Sequence, residues 1–350
     1  MERTTLKDIA KSLNISIGTV ERAIHGNADI NPETKKRVLD KIRELDYRPN
    51  RHARSLSVKN MKKVAVLMPD NPAFWQKVKA GIEDGAAEMS YFGTDVQIIC
   101  LNRMGGSLVL SHIKDLMAGK VDGIILTPSG LDDIAEKMNE LVLQGLKLVM
   151  LNDDLPGVAR LSYVGPDHML IGRLAGELIG KFTLGRGKCL MVSCGRTGTT
   201  GLPVECAQRI AGFRQVLESE YPNLGITACD YDLYVDDAYN TILRQLDMNK
   251  GITSIYSVDG FLCEAALAVK DFGVKDLILV GHEMSDEVNR FLGEGVITAA
   301  ICQNPFLQGY KAMKQMAEYL IDKREPSHDS LFIDYKIYTK YNTYGKGSYL

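Results

Sequence analysis

Basic side chains that could bind nucleic-acid phosphates are concentrated in the first 63 of the 350 residues. This stretch holds 15 Lys and Arg against eight Asp and Glu, whereas the rest of the chain holds 27 basic and 36 acidic residues. The net charge of −2 is therefore the sum of a basic N-terminal segment and an acidic remainder of the chain. Because a basic segment attracts the phosphate backbone of nucleic acids, DNA is a candidate partner.

Two short amphipathic helices are predicted within residues 5–26, TLKDIAKSLNISIGTVERAIHG. Thr5 opens a capping box for the first helix, and Ser16 is a good N-cap for the second. Small residues at Ala10 and Ala23 let the two helices cross closely. The pattern predicts a helix-turn-helix whose second helix enters the DNA major groove. An ordinary helical hairpin is the alternative, and the surplus of positive charge favours the DNA-binding interpretation.

A third helix and a basic linker follow this pair. Asn31 caps a helix that starts with proline, and residues 48–63 read RPNRHARSLSVKNMKK. Asn50 could cap a short helix over 51–58, which is too brief to be stable alone and would form against DNA or a second copy. A disordered linker explains the composition equally, but it does not explain Leu56 among the arginines.

From residue 63 the sequence alternates continuous apolar segments with helical patterns, an order that predicts parallel, doubly wound sheets. Two similar sets follow one another. The predicted strands are VAVLMPD, DVQIICLN, GIILTPS and KLVMLND in the first set, and KCLMVSC, GITACDYD, SIYSVD and LILVGHE in the second. Ligands bind where the carboxyl ends of such strands meet, so a cleft between two lobes is expected.

These patterns predict a headpiece over 1–49, a hinge or linker over 50–62 and a core over 63–350. Within the core, the first lobe is predicted to contain 63–160 and 291–320. The second lobe is predicted to contain 161–290 and 321–350.

Composition and motifs argue against several other classes of protein. The chain is 45% apolar and 25% charged, with no apolar run long enough for a membrane span, and its N-terminus lacks a signal-peptide pattern. We therefore expect a cytoplasmic protein without a membrane partner. Seven scattered cysteines and six histidines without metal-ligand spacing predict no metal site and no cofactor.

Two motifs resemble catalytic or phosphate-binding features. The loop GRTGTTG over 195–201 lacks GxGxxG spacing and a GK[ST] ending, so a glycine-rich turn at the cleft mouth is the better interpretation. An anionic ligand would give that loop a larger role. His282 and Glu283 could pass for an acid–base pair, but without a visible nucleophile or second acid we expect Glu283 to bind ligand and the protein not to be an enzyme.

The whole chain resembles transcriptional regulators of the LacI/GalR family. The resemblance rests on the helix-turn-helix segment, on NPETKKRVLDKIRELDYRPN, on the leucine-bearing hinge and on a core similar to ribose-type periplasmic sugar-binding proteins. In that core, NPAFW, VGPDHMLIGRLAGEL, AQRIAGF, LVGHE and ICQNPFLQGY carry it. The resemblance implies an all-α headpiece with a hinge helix, followed by a two-lobed α/β core with two doubly wound parallel sheets.

For DNA, the resemblance places Ile17 and Gly18 at the start of the recognition helix and Leu56 as a wedge in the minor groove. Glu21 departs from the serine that is common there, and near phosphates it is repulsive unless it accepts a bond from a cytosine amino group. The predicted DNA-binding residues are Thr5, Ser16, Ile17, Gly18, Thr19, Glu21, Arg22, Asn31, Asn50, Arg51, Arg54 and Leu56.

For the cleft, the predicted ligand-binding residues are Phe74, Trp75, Asn152, Asp153, Arg209, Tyr234, Asp259, Glu283 and Gln303. Aromatic faces suit the C–H side of a sugar ring, while carboxylates, amides and guanidinium bind hydroxyls with fixed geometry. A core role remains the alternative for Trp75, and a surface salt bridge remains the alternative for Arg209.

The resemblance thus implies a sequence-specific regulator of carbohydrate-utilisation genes, a repressor above all, controlled by a sugar or sugar derivative. A homodimer on palindromic double-stranded operator DNA is expected, with pairing of dimers into a tetramer left open. The alternatives are a solute-binding protein of a sugar transporter, a regulator that senses a non-sugar metabolite, and a cytosolic carbohydrate enzyme.

Overall fold

The computed structural model describes residues 6–25, 30–45, 61–70, 74–90, 93–102, 104–128, 134–195, 203–232 and 237–343. The chain divides into two compact units. The first consists of Met1–Met61 with Ser90–Gly93, and the second of Lys62–Met89 with Thr94–Leu350.

The first unit contains three helices, α1 (Leu6–Leu13), α2 (Ile17–His25) and α3 (Pro32–Glu44). The predicted caps of α2 and α3 are confirmed. Ser16 Oγ accepts a bond of 3.0 Å from the Thr19 amide, and Asn31 Oδ1 accepts one of 2.8 Å from the Glu33 amide. Each bond satisfies a backbone donor that the first turn of a helix leaves free.

A small apolar core joins these three helices. Its buried members are Ile9, Ala10, Val20, Ala23 and Val38. They recur at helical spacing, which confirms the amphipathic pattern of the sequence. Thr5, the predicted start of the first capping box, lies outside the described residues.

The second unit is built on two sheets of six strands each. The strands are β1 (Lys62–Pro69), β2 (Thr94–Leu101), β3 (Gly123–Leu126), β4 (Leu148–Leu151), β5 (Ser162–Gly165), β6 (Gly187–Gly195), β7 (Leu224–Asp232), β8 (Ile252–Ser257), β9 (Ile278–His282), β10 (Ala299–Cys302), β11 (Ser330–Phe332) and β12 (Lys336–Tyr338). All eight strand segments predicted from apolar runs are present.

The first sheet has the order β11-β5-β4-β3-β1-β2, and the described pairings in it are parallel. The second has the order β12-β10-β9-β8-β6-β7, and its strands are parallel except β12, which runs antiparallel to β10 at the edge. Helices separate consecutive strands along most of the chain, as expected for doubly wound sheets. The predicted class, a helical headpiece followed by a two-lobed α/β core with doubly wound sheets, is therefore confirmed. The predicted hinge helix over 51–58 lies outside the described residues.

The helices of this unit lie between the strands in sequence. They are α4 (Phe74–Ser90), α5 (Gly106–Ala118), α6 (Ala135–Leu143), α7 (His168–Phe182), α8 (Val204–Glu220), α9 (Ala238–Met248), α10 (Leu262–Phe272), α11 (Asp286–Glu294) and α12 (Pro305–Asp322). Within the described residues, no helix combines the length and the apolar character needed to cross a membrane.

Three strands lie in a different lobe from the one that the sequence pattern indicates. The pattern places β5 and β11 in the second lobe, but β5 pairs with β4 and with β11 in the first sheet. It places β10 and the last residues of α11 (291–294) in the first lobe, but β10 pairs with β9, and α11 packs into the core of the second lobe. These parts of the predicted division are wrong because an apolar run indicates a strand without specifying its partner.

The chain consequently passes between the lobes three times, after β5, after β10 and after β11. Residues that follow β5 and β10 therefore lie where one lobe gives way to the other. The predicted limits of the headpiece and the hinge, 1–49 and 50–62, stay predictions.

A close crossing of α7 and α8 fixes one side of the second lobe. A Cβ added to Gly172 would lie 2.0 Å from the Arg209 carbonyl oxygen, and one added to Gly212 would lie 2.1 Å from the Met169 carbonyl oxygen. Glycine is thus required at both positions, since no larger residue fits between the backbones. This contact holds the backbone of Arg209 against the start of α7.

Candidate functional site

Polar side chains from both lobes meet at the carboxyl ends of the central strands. Asn152 follows β4 in the first lobe, whereas Glu283 follows β9 and Gln303 follows β10 in the second. Asn152 and Glu283 have φ angles of 66° and 70°, in the left-handed region of the backbone. Residues other than glycine adopt this region at a cost of about 1–3 kcal/mol. Such conformations cluster at functional sites, which supports a binding role for this edge.

The first lobe contributes a buried amide and a buried carboxylate. Asn152 Nδ2 donates a 2.9 Å bond to Asp153 Oδ1, and the Tyr163 hydroxyl donates a 2.7 Å bond to the Asn152 carbonyl oxygen. At this edge of the sheet, the buried oxygens Asn152 Oδ1 and Thr127 Oγ1 have no hydrogen-bond partner among the described residues. Thr127 follows β3, the neighbour of β4, so both groups lie at the same edge of the sheet. Buried polar groups without a partner are costly, and a bound ligand could satisfy them.

His168, the first residue of α7, joins the two lobes. Its Nε2 lies 2.9 Å from the Asn152 carbonyl oxygen and 3.3 Å from Asp153 Oδ1 in the first lobe. Its Nδ1 lies 3.3 Å from Nε of Arg209 in the second lobe. The imidazole is 4% exposed, so water does not compete for these contacts.

Arg209 is buried, with 5% of its surface exposed, and its guanidinium donates to three acceptors. Besides His168, these are the Val258 carbonyl oxygen at 2.9 Å and Gln303 Oε1 at 3.1 Å. A surface salt bridge, the alternative for this residue, is therefore wrong. The planar fork of the guanidinium holds its neighbours in fixed directions.

Gln303 connects Arg209 to Glu283, because its Nε2 donates a hydrogen bond to Glu283 Oε1. Burial raises the pKa of the Glu283 carboxyl. We call Asp153, His168, Arg209, Gln303 and Glu283 the cleft network. It runs without a break from the first lobe to the second.

A separate contact closes the cleft from the side of α4. Lys77 Nζ, in the first lobe, donates a 2.7 Å bond to the Met284 carbonyl oxygen, directly after Glu283 in the second lobe. The lobes are therefore linked both through His168 and through Lys77.

Asp259 follows β8, and it binds donors of its own lobe. It accepts bonds from the Cys194 amide at 2.7 Å, the Tyr231 hydroxyl at 3.0 Å and the Phe261 amide at 3.4 Å. Burial raises the pKa of this carboxyl to about 6. Tyr234, the other candidate in this region, lies outside the described residues.

Phe74 and Trp75 open α4, and both side chains are partly exposed. Their ring centroids lie 5.0 Å apart with the ring planes nearly perpendicular. Trp75 is not among the buried core residues, so the core alternative for this side chain is not supported.

His282 and Glu283 do not form an acid–base pair. His282 Nε2 lies 2.9 Å from the Tyr256 hydroxyl, and Glu283 bonds to Gln303 instead. Burial, together with the charge of Arg209, lowers the pKa of His282 well below its usual range. A neutral, buried imidazole bonded to tyrosine is a structural element of the second lobe. Among the described residues, no group of three His, Cys, Asp or Glu side chains is arranged to hold a metal ion.

In the first unit, the start of α2 is open. The Ile17 side chain is 43% exposed, Gly18 is exposed, and Val20 and Ala23 are buried on the opposite face. Thr19 and Ser16 share a 2.8 Å contact between their hydroxyls. The side chains of Glu21 and Arg22 and the candidates Thr5, Asn50, Arg51, Arg54 and Leu56 lie outside the described residues.

Sequence reasoning missed His168, Thr127 and Lys77. The place of each in the site depends on strand pairing, and no local pattern sets His168 and Lys77 apart from other polar residues. Thr127 lies towards the carboxyl end of the predicted strand GIILTPS, and that position could have indicated it.

Comparisons with known proteins agree with this arrangement. Residues 64–324 match the periplasmic binding protein domain, and residues 5–50 match the domain of bacterial regulatory proteins of the lacI family. The chain belongs to the periplasmic-binding-protein domain family over most of its length, and its N-terminal segment is a lacI-family domain. Its core is a periplasmic-binding-protein domain that carries the cleft network.

Relatives of this lacI-family regulator include the HTH-type transcriptional regulator RegA of Clostridium saccharobutylicum, 35% identical over 44% of this chain and 47% of RegA. The ribose operon repressor of Halalkalibacterium halodurans is 28% identical over 80% of both chains. The crystal structure of GanP, a glucose-galactose binding protein from Geobacillus stearothermophilus, shares the fold with a TM-score of 0.71. Its identity is 22%, and the match covers 81% of this chain and 99% of GanP.

Proposed function

We propose that this protein is a sequence-specific DNA-binding transcriptional repressor whose affinity for operator DNA is set by a carbohydrate in the cleft. The observation that carries the proposal is the cleft network, a buried polar chain shared by both lobes of a protein that also carries a lacI-family headpiece.

The chemistry of the cleft suits a polyol. Asn152, Asp153, Arg209 and Glu283 offer amide, carboxylate and guanidinium groups in fixed positions, and Trp75 offers a flat apolar face at the first helix of the lobe. Carboxylates and amides bind vicinal hydroxyls in pairs, while an aromatic face covers the C–H side of a sugar ring. The ribose operon repressor, a relative by sequence, makes ribose a sensible first probe.

For DNA, we propose that the exposed start of α2, with Ser16, Ile17, Gly18 and Thr19, enters the major groove. Buried Val20 and Ala23 face the other helices, so their side of α2 is not available to DNA. A homodimer places two such helices on a palindromic operator. No reaction is assigned to the cleft, because its carboxylates and imidazoles bond to structural partners. The Cys302 thiol does donate a bond to Glu283 Oε2, but burial raises the pKa of this thiol to about 12, so it stays protonated.

The DNA proposal is tested with the full chain by selection from random duplexes, followed by titration of the selected duplex at several salt concentrations. Sequence-specific binding should appear, with log affinity falling by about 0.9 per log unit of salt for each phosphate neutralised. Ile17→Ala should weaken binding of the selected duplex by at least tenfold. Leu143→Ala, which also truncates an exposed apolar side chain (88% exposed), is the matched control. Selection that enriches no sequence would exclude this function.

The effector proposal is tested by thermal unfolding with D-ribose, other neutral monosaccharides and their phosphates. A ligand at 100 times its Kd adds about 2.7 kcal/mol to the free energy of unfolding. A binding sugar should also change the affinity for the selected duplex, and Asp153→Asn should remove that response while the exposed Asp276→Asn should keep it. If only a non-sugar metabolite raises the melting temperature, the carbohydrate part of the proposal is wrong. Sedimentation of the free protein checks the homodimer.

A further inference from the structure

His168 occupies the point at which the first lobe passes into the second. Strand β5 ends at Gly165 in the first sheet, and α7, which begins with His168, packs on α8 in the second lobe. The imidazole is the side chain of the cleft network that bonds to both lobes. A change at this ring therefore acts on both halves of the site at once.

The partners of His168 determine where its proton lies. Nε2 faces the Asn152 carbonyl oxygen and the Asp153 carboxylate, which can only accept hydrogen bonds, so Nε2 carries a proton. Nδ1 faces Nε of Arg209, which can only donate, so Nδ1 must be an acceptor. Both contacts are satisfied together only by a neutral imidazole with its proton on Nε2.

We propose that neutral His168 is a positioning residue that aligns Arg209 with Asn152 and Asp153, so that effector affinity depends on the protonation of this ring. The inference rests on the proposed effector site. Protonation would turn the Nδ1 acceptor into a donor that faces Arg209, which breaks that contact and sets two positive charges against each other. The second-lobe half of the site then loses its alignment with the first.

Among the described residues, three ionisable groups interact with the ring directly, namely Asp153, Arg209 and His282. Further ionisable groups lie on the neighbouring elements and interact with those partners or with Tyr163: Asp154 after β4, Tyr163 in β5, Asp167 before α7 and Glu283 after β9. A protonated ring can still donate from Nε2 to Asp153, but its Nδ1 can no longer accept from Arg209. Protonation therefore turns the ring from a link between the lobes into a partner of the first lobe alone.

The first experiment needs no ligand. In the full chain with 15N-labelled histidine, NMR at pH 7.5 should show a protonated Nε2 and an unprotonated Nδ1 for the signal that disappears in His168→Gln. An imidazolium, or a proton on Nδ1, at this pH would overturn the proposal.

The second experiment uses D-ribose, with the fluorescence of Trp75, the single tryptophan of the chain, as the signal. The apparent Kd of the wild type should rise at least tenfold between pH 8 and pH 5.5. His168→Asn keeps an acceptor near Arg209, whereas His168→Gln keeps a donor towards Asn152. Each should weaken ribose binding about tenfold at pH 8 and flatten the pH dependence to less than threefold.

A control variant separates this effect from others. His328→Gln replaces an exposed histidine and should leave the pH profile of ribose binding unchanged.

The outcomes separate the inference from the function it rests on. Identical pH profiles for the wild type and His168→Asn, or full ribose affinity in His168→Gln, would refute the positioning role. If the wild type binds no ribose at any pH, ribose fails as the effector, and the NMR experiment alone then decides the state of His168.

Discussion

The two lobes build their halves of the cleft in different ways. The second lobe holds its polar groups in a bonded set, in which Arg209 meets three acceptors and Asp259 meets three donors. In the first lobe, two buried oxygens that follow strand ends, Thr127 Oγ1 and Asn152 Oδ1, have no partner among the described residues. The second-lobe half is the more fully bonded of the two, although His282 Nδ1 also lacks a partner there.

This difference assigns separate tasks to the lobes. Groups already held in place lose little conformational freedom when a ligand binds, so the second lobe favours affinity through preorganisation. Unpartnered groups cost stability until something bonds to them, so the first lobe gains most when the cleft is filled. A ligand that satisfies Thr127 and Asn152 thus stabilises the closed arrangement, in which Lys77 already bonds to Met284 across the cleft.

The largest expected effect is in the second lobe. Arg209→Met leaves His168 Nδ1, the Val258 carbonyl and Gln303 Oε1 without their donor. Because truncation leaves buried acceptors unsatisfied, the free energy of unfolding should fall by about 3 kcal/mol, measured by urea denaturation. Arg173→Met, which removes a more exposed bond to Gln215, should change it by about 0.5 kcal/mol or less. Equal losses for both variants would show that the bonded set has no special importance.

A smaller effect concerns Asp259 and pH. Its folded pKa of about 6 exceeds the usual value of 3.8, so the folded state holds this proton more tightly than the unfolded state. Stability contributed by the protonated carboxyl is complete below pH 4 and is lost as pH rises through 6. The wild type should therefore lose about 2 kcal/mol more of its free energy of unfolding than Asp259→Asn between pH 4 and pH 7. If the free energy of unfolding changed with pH equally in the wild type and in Asp259→Asn, the Asp259 carboxyl would not have a raised pKa in the folded protein.

The smallest effect should have the opposite sign. Thr127→Val replaces an unpartnered buried hydroxyl with a methyl group of similar size, so the free energy of unfolding should rise by about 1 kcal/mol. Affinity for a bound sugar should fall at the same time, measured by titration. Thr183→Val is the matched control, because its hydroxyl donates a 2.7 Å bond to the Ile179 carbonyl and its loss should destabilise. A destabilised Thr127→Val would mean that the first-lobe half is already complete.

The sequence predicted many individual elements and few of their relations. The eight apolar runs, the caps at Ser16 and Asn31 and the buried stripes of the headpiece are local patterns, and the structure contains them. Among the candidate ligand residues, the structure joins Asp153, Arg209, Gln303 and Glu283 through His168. It leaves Asp259 in a separate set with Tyr231, which the sequence could not indicate because the two belong to different strands.

By itself, the sequence determined which segments form helices and which form strands, because the periodicity of apolar residues can be recognised within short segments. It also determined the basic head and the residue types available at the strand ends. Only the tertiary structure decided which strands share a sheet, and therefore which lobe receives β5, β10 and β11. It also decided that His168 lies between Asp153 and Arg209, since hydrogen bonds between residues 41 and 15 positions apart depend on how the two lobes meet.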